Sequence, residues 1–354
     1  VEYFPSKEDQ GGGLTIYKTS LLFDDGSLQR LQKLSLDSTD LRILNLLAKN
    51  GRLSYRNIGL TIGLTTKSVK SRVDRMLTAK VIDRFLAKVN PSVMGYKRTY
   101  AVALRKNKLN LELLERINLV GDIQHQFEVM GGVIGFDIAV KEGTEEKIEL
   151  LLDSLKPALL GVIRSRNREV RQKLTETDYT IMKQLIKKPR GEIREIATST
   201  AISPKTVHRR LDRMITNQIL EFSIQPNPDA MKGYIVFFLD VKVKDRSHHQ
   251  KVLQRIYEEL HDRFMLSSDM SSQEDSIGLL LGSEDAIGIE SIRSKIESFE
   301  GVQQANAFLP IKLASPQEWI LKAIDSKYAE YAGSSWKKKK NNVFSEENIT
   351  SYTH

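Results

Sequence analysis

One segment of this 354-residue chain occurs twice. Residues 36–96 align on residues 174–234 without a gap, each position shifted by 138. Identical pairs include Leu36/Leu174, Asp40/Asp178, Ile43/Ile181, Leu47/Leu185, Arg52/Arg190, Ile58/Ile196, Lys67/Lys205, Val69/Val207, Arg72/Arg210, Asp74/Asp212, Arg75/Arg213 and Met76/Met214. A period this long signals a duplicated structural unit, so any fold for one copy must serve the other.

Each copy reads as three helices and a small hairpin. Asp37 and Thr175 stand where an N-cap belongs, with Asp40 and Asp178 three residues on in capping-box spacing. Ile43, Leu44 and Leu47, like Ile181, Met182 and Leu185, form an apolar stripe at helical period. Gly51 ends the first helix in one copy, and Pro189 with Gly191 in the other. A short second helix is expected over residues 55–62 and 193–200, then a tight turn. The third helix begins at Thr66 and at Pro204, the proline suiting a first helical turn capped by Ser203. Val69, Val73, Met76 and Leu77, and likewise Val207, Leu211, Met214 and Ile215, mark its core face. Residues 81–89 and 219–225 are β-prone and close near an Asn-Pro, which predicts wing strands.

The segments after each copy have a different texture. In residues 98–171, strands at 99–104, 123–129, 135–140 and 162–170 alternate with helices at 109–117 and 145–160, the latter broken near Pro157, the order βαββαβ. Residues 235–310 repeat that order more loosely. The expected fold class is α+β: two winged helix-turn-helix domains (36–97 and 173–234) alternating with two ferredoxin-like sandwiches (98–172 and 235–325). Residues 1–35 read as a flexible arm with a short helix near 28–34, and 326–354 as a basic polar tail with "WKKKK" at 336–340.

Charge separates function classes. The net charge is +9, with a pI near 9.4. Residues 36–96 hold eleven Lys/Arg against four Asp/Glu, and 174–234 ten against seven, so the repeats account for the whole excess. An anionic partner is expected to meet them. The chain has no cysteine, which removes disulfides and thiolate metal sites. Apolar runs such as 234–239 are too short to cross a bilayer, so no membrane partner is expected. No phosphate-binding glycine loop, metal-spaced cluster or nucleophile constellation stands out; no metal, cofactor or catalytic group is expected.

A short helix, a tight turn and an amphipathic helix with a cationic outer face is the pattern that docks in a DNA major groove. Lys and Arg neutralise phosphates and reach guanine edges, while Ser, Thr and a helix N-terminus donate to phosphate oxygens. The candidate DNA-binding residues are Arg52, Arg56, Thr66, Lys67, Ser68, Lys70, Ser71, Arg72 and Arg75. In the second copy they are Arg190, Arg194, Ser203, Lys205, Thr206, His208, Arg209, Arg210 and Arg213. Asp74 and Asp212 are expected to pair with neighbouring arginines, and Arg72 and Arg210 flank the buried stripe closely enough to be partly structural.

The stretch "LDSTDLRILNLLAKNGRLSYRNIG", followed by "SVKSRVDRM" and "VNPSVMGY", resembles the Lrp/AsnC family of transcription regulators. The resemblance covers residues 36 to about 310 and is stronger in the first copy. It implies double-stranded DNA as partner, a recognition-helix motif at Thr65/Ser203, Ser68/Thr206 and Arg72/Arg210, and a sandwich that dimerises and can bind an amino-acid effector. A family unit fused in tandem would act as an internal pseudo-dimer, with homodimerisation through the sandwiches a further option and a cytoplasmic, nucleoid-associated location. The effector turn would fall at Met130, Gly131 and Gly132, which keep the family's glycine but lack its acid. Two alternatives stay open. Siroheme decarboxylases share this architecture, but "IQHQFEV" offers His125 alone on the matching strand. An architectural DNA-compacting protein would use the same basic faces without sequence choice.

Overall fold

The structure, a computed structural model, describes residues 33–108, 110–260, 263–267 and 276–330. Most of the expected arm and the Lys-rich segment at 336–340 lie outside the described residues. Among the described residues no helix is long and apolar enough to cross a membrane.

The first repeat comprises β1 (Leu34–Ser35), α1 (Ser38–Lys49), α2 (Tyr55–Ile62), α3 (Thr66–Thr78) and β2 (Ile82–Val89). A βαββαβ unit follows: β3 (Tyr96–Arg105), α4 (Leu111–Val120), β4 (Asp122–Val129), β5 (Val133–Lys141), α5 (Glu145–Ser154) and β6 (Leu159–Arg166). The second repeat has α6 (Glu176–Lys187), α7 (Ile193–Thr200), α8 (Pro204–Thr216), β7 (Leu220–Pro226) and β8 (Met231–Lys232). Its sandwich runs β9 (Ile235–Val243), α9 (Arg246–Leu260), β10 (Phe264–Ser267), β11 (Ser276–Ser283), α10 (Ala286–Glu297) and β12 (Val302–Phe308). The chain continues into β13 (Pro310–Ala314) and a helix α11 over residues 318–330.

Both sandwiches follow the ferredoxin-like order, β4-β5-β3-β6 and β10-β11-β9-β12, antiparallel throughout. Strand alternation explains the layering. Phe237, Leu239, Val241 and Val243 of β9 join Ile256, Ile292 and Ile296 in one core, while Val236 on the opposite face packs into the first repeat. The fifth helix stops at Ser154, three residues before Pro157, near where the sequence places a break; the residue before the proline, Lys156, is disfavoured in helical geometry.

The two strands expected as wings do something else. β2 and β7 pair antiparallel with each other, across the repeats. Exchanging the repeats sends residue 85 to 223 and 224 to 86. The Phe85–Ile224 pair therefore becomes the Leu86–Ser223 pair, and both belong to the ladder. The central pairs, from Arg84–Gln225 to Ala87–Phe222, thus map onto one another, and a pseudo-two-fold axis runs through the centre of the ladder. Each core draws on both strands: Ile82 of β2 stays in the first repeat and Leu220 and Phe222 of β7 in the second, while other residues cross over. Ile224 from β7, with Ala230 and Met231, buries against Ile43, Leu47, Val73 and Met76 of the first repeat. Ala87 and Val89 from β2 bury against Met182, Leu185, Leu211 and Met214 of the second.

Three features break the symmetry. The last two residues of the expected arm form β1, which pairs parallel with β8. β13 adds a fifth strand to the first sandwich at β4, although it follows the second sandwich in sequence. The segment expected to begin the tail is helical, and α11 buries Ile320, Ala323 and Ile324 in the core of the second repeat. Tyr328 and Asp325 of α11 bond Thr180 and Lys183 of α6 at 2.6 and 2.5 Å.

Close backbone approach at the seam gives a test. The Gly51 N–H donates to Phe222 O at 2.9 Å, and a Cβ at Gly51 would sit 2.5 Å from Ser223 O. Gly51→Ala is expected to destabilise the protein by roughly 1–3 kcal/mol, the range for a forced shift in a packed interior. Denaturant unfolding monitored by circular dichroism would measure it.

Candidate nucleic-acid interface

Each recognition helix is set by a cap, a tight turn and a buried stripe. α2 ends at Gly63 with φ +77°, and a Cβ on Gly59 would meet Leu64 O at 2.4 Å, so the turn into α3 can be close. Thr65 caps α3 by accepting from the Ser68 N–H at 3.2 Å, and Ser203 caps α8 by accepting from the Thr206 N–H at 3.2 Å. Pro204 occupies the first turn of α8, where its missing N–H costs nothing. Val69, Val73 and Met76, and Val207, Leu211 and Met214, are buried. Thr66, Lys67, Lys70, Ser71 and Arg75 are exposed on α3, as are Lys205, His208, Arg209 and Arg213 on α8; Ser68 and Thr206 are half-buried at the caps. A shallow depression lined by Thr65, Lys67, Ser68, Ser71, Arg72 and Arg75 marks the start of α3. Arg56 and Arg194 are exposed on α2 and α7.

Two arginines in each recognition helix are tied to a buried carboxylate. Arg72 donates to Asp37 at 2.7 Å and to Asp40 at 2.8 Å, and Arg75 donates to Asp40 at 2.5 Å. In the second repeat Arg210 and Arg213 reach Asp178 at 3.0 and 3.1 Å, and Arg210 also bonds Thr175 at 2.7 Å. The Asp40 and Asp178 side chains have no exposed surface. Each also closes a capping box on the first helix of its repeat. One carboxylate thereby fixes the third helix to the start of the first. Burial pushes the Asp178 carboxyl up, but bonds from the Thr175 backbone and side chain and from Arg210 outweigh it and hold the group below its usual range. Asp37 behaves likewise, with Arg72 as main counterweight. Asp74 and Asp212, the expected partners, are not those acids; Asp212 instead lies 2.6 Å from His208. Arg72 and Arg210 are therefore anchors of the helix, half-buried and directed inward, rather than outward contacts.

Arg52 and Arg190 also differ from expectation. Arg52 donates to Pro189 O at 2.6 Å and Gly191 O at 2.9 Å. Arg190 donates to Gly51 O at 2.5 Å and Leu53 O at 3.2 Å. Exchange of the repeats converts one set into the other. Arg52 stacks over Phe222, and Arg190 over Tyr55 and Phe85. Burial, and then the nearby Arg190 charge, lower the Arg52 pKa from its ordinary value. These guanidinium groups are consumed by carbonyls at the seam between repeats, which orients them away from any phosphate role.

The comparisons with known proteins agree on the unit. An AsnC-type helix-turn-helix domain model matches residues 36–77, and a winged helix-turn-helix DNA-binding model matches residues 174–221. An uncharacterised HTH-type transcriptional regulator of Pyrococcus furiosus is 33% identical over 127 residues, covering 34% of this chain and 82% of the relative. The chain belongs to the Lrp/AsnC family of transcription regulators. The HTH-type transcriptional regulator Ptr1 of Methanocaldococcus jannaschii is 28% identical over 124 residues, 34% of this chain and 83% of that protein. One such relative thus corresponds to about a third of this Lrp/AsnC chain. Among solved structures, a siroheme decarboxylase, NirDL, aligns over 83% of this chain and all of its own, at 12% identity and a TM-score of 0.44. The AsnC protein of E. coli aligns over 39% of this chain and 93% of its own, at 16% identity and a TM-score of 0.30.

The turn at Met130, Gly131 and Gly132, expected from the resemblance as an effector turn, is the β4–β5 hairpin turn. Gly131 and Gly132 take φ of +91° and +74°, values that require glycine for backbone reasons alone. The turn is held by Met130 N–H to Leu309 O and Lys106 N–H to Gly132 O, both 2.8 Å. Met130 is exposed. His125 Nδ1 lies 3.2 Å from the buried Asp137 on the neighbouring strand.

Sequence reasoning assigned Asp40 and Asp178 to capping and missed their hold on the recognition helix. The available signal was their identity in both copies beside two repeated arginines. Asp178→Asn is expected to cost on the order of 1–3 kcal/mol, discounted because both arginines still reach water. The Asp178 carboxyl is more acidic folded than unfolded, so its stabilisation is complete above the unfolded value near 3.8 and fades as pH falls through the folded one. The gap between wild type and variant should therefore close in acid, as read by thermal melts across pH.

Proposed function

We propose that this chain is a sequence-specific, DNA-binding transcription regulator that uses its two helix-turn-helix units as an intramolecular pseudo-dimer. The observation that carries the reading is the self-mapping β2–β7 ladder, which relates α3 and α8 by a two-fold axis inside one chain. A duplex has local two-fold symmetry, and proteins that present two recognition helices about such an axis dock them in successive major-groove segments. The reading needs no second chain, because the dyad is internal; association of two chains through the sandwiches would add to it. The sandwiches serve as the scaffold that sets the helices, and no catalytic step or effector is assigned to them. The protein would act in the cytoplasm, on the chromosome.

Lys67, Lys70 and Arg75, with Lys205, Arg209 and Arg213, would neutralise phosphates or reach base edges. Thr66, Ser68, Ser203 and Thr206 would donate to phosphates at the helix starts, and Arg56 and Arg194 would grip the backbone from the second helices. Fluorescence anisotropy with a labelled duplex over a salt series tests this. Lys67→Ala and Lys205→Ala are each expected to flatten the plot of log K against log salt by about one unit. Arg52→Ala is expected to lower the melting temperature and leave that slope unchanged. Equal affinity for a selected site and random duplex would favour DNA compaction over regulation.

A further inference from the structure

The two recognition helices carry the same charge in different places. α3 holds Lys67, Lys70, Arg72 and Arg75 against Asp74; α8 holds Lys205, Arg209, Arg210 and Arg213 against Asp212. The larger excess of the first repeat therefore lies off its recognition helix. The buried positions match in kind, and so do the carboxylate anchors. Among the exposed positions, Lys67/Lys205, Asp74/Asp212 and Arg75/Arg213 are identical. Beyond the first residue of each helix, Thr66 against Pro204, the contrast in charged and hydrogen-bonding side chains on the exposed face falls at two adjacent positions: Lys70-Ser71 in α3 and His208-Arg209 in α8.

That contrast bears on base readout more than on attraction to phosphate. With His208 neutral, each face presents the same formal charge, so the phosphate term is balanced between the halves. The chemistry aimed at the groove is not. Arg209 can make the bidentate pair with guanine O6 and N7, whereas Ser71 at the matching position is short and accepts either kind of edge. Lys70 offers a mobile ammonium, whereas His208 is held by Asp212 at 2.6 Å through Nδ1, which leaves Nε2 directed outward. A homodimer cannot hold such a difference. Here both faces are fixed in one chain by the β2–β7 seam.

We infer that the DNA ligand is an ordered pair of unlike half-sites, read by Lys70-Ser71 on one side and His208-Arg209 on the other, so that the bound protein has a direction along the duplex. This rests on the DNA-binding reading above and deepens it. The half-sites would lie about one helical turn apart, roughly 10 base pairs, and the operator would not be a palindrome.

Selection from a random duplex library, with the full-length protein and sequencing of the bound fraction, tests the inference. Wild type should enrich a non-palindromic motif, and replacing one half-site by a copy of the other should weaken binding roughly tenfold or more. The paired variant Lys70→His with Ser71→Arg should enrich a palindrome built from the second half-site. The reciprocal variant His208→Lys with Arg209→Ser should enrich one built from the first. Both alter exposed positions only, and unchanged melting curves would establish intact folding. A palindromic wild-type motif, or variants that enrich the wild-type motif, would overturn the ordered-pair inference while leaving DNA binding in place. Failure of the folded wild type to retain any duplex in dilute buffer would instead overturn the DNA-binding reading, and the inference with it.

Discussion

The exchanged strand pair is the constraint on which the rest depends. A three-helix unit of this size leaves part of its core open, and here the missing wall comes from the other repeat. Ile224 of β7 closes the first unit, and Ala87 and Val89 of β2 close the second. Neither repeat can bury its own apolar stripe alone, so folding of each is coupled to the other. The seam is locked further by Arg52 and Arg190, each satisfying two carbonyls in the opposite repeat. Loop carbonyls brought together there would otherwise lie partly buried without donors, which is the costly situation. The β2–β7 ladder and the two arginines therefore tie the recognition helices to one shared seam within the chain.

Arginine is divided among three tasks that composition cannot separate. One per repeat joins the halves. Two per repeat tie the recognition helix to a fully buried aspartate, with Arg75 and Arg213 also exposed enough to face outward. The exposed cationic and donor residues of α3 and α8 outside that anchor are lysines, Arg209, His208 and small polar groups. A guanidinium suits the first two tasks because its planar fork satisfies two acceptors at once, which an ammonium does less well.

Fusion also allowed the halves to diverge. β13 extends the first sandwich at β4, and α11 seals the second helix-turn-helix unit through Ile320, Ala323 and Ile324. Phe127 of β4 meets Phe238 of β9 edge-on at 5.3 Å, joining the two sheets. The first unit uses other material, packing Val236 and Leu280 of the second sandwich and pairing β1 with β8. A pair built from identical chains would have to repeat each of these contacts on both sides.

Much of the fold was legible because it is local. The duplication, the capping boxes at Asp37 and Thr175, the Ser203-Pro204 helix start and the period-two strands all act within a few residues. The exposed faces of α3 and α8 were legible for the same reason, since helical periodicity assigns the buried stripe and leaves the remainder outside. What the sequence could not decide was partnership at long range. A β-prone segment states that it will pair, not with which strand, and β2 finds β7 some 140 residues away. Asp40 and Asp178 read as caps, because nothing within four residues reveals an arginine 32 or 35 positions on. Arg52 and Arg190 read as surface cations until the approach of the two repeats placed carbonyls in their reach. Local preference is written residue by residue, whereas the choice among distant partners is made by the shape of the assembled core.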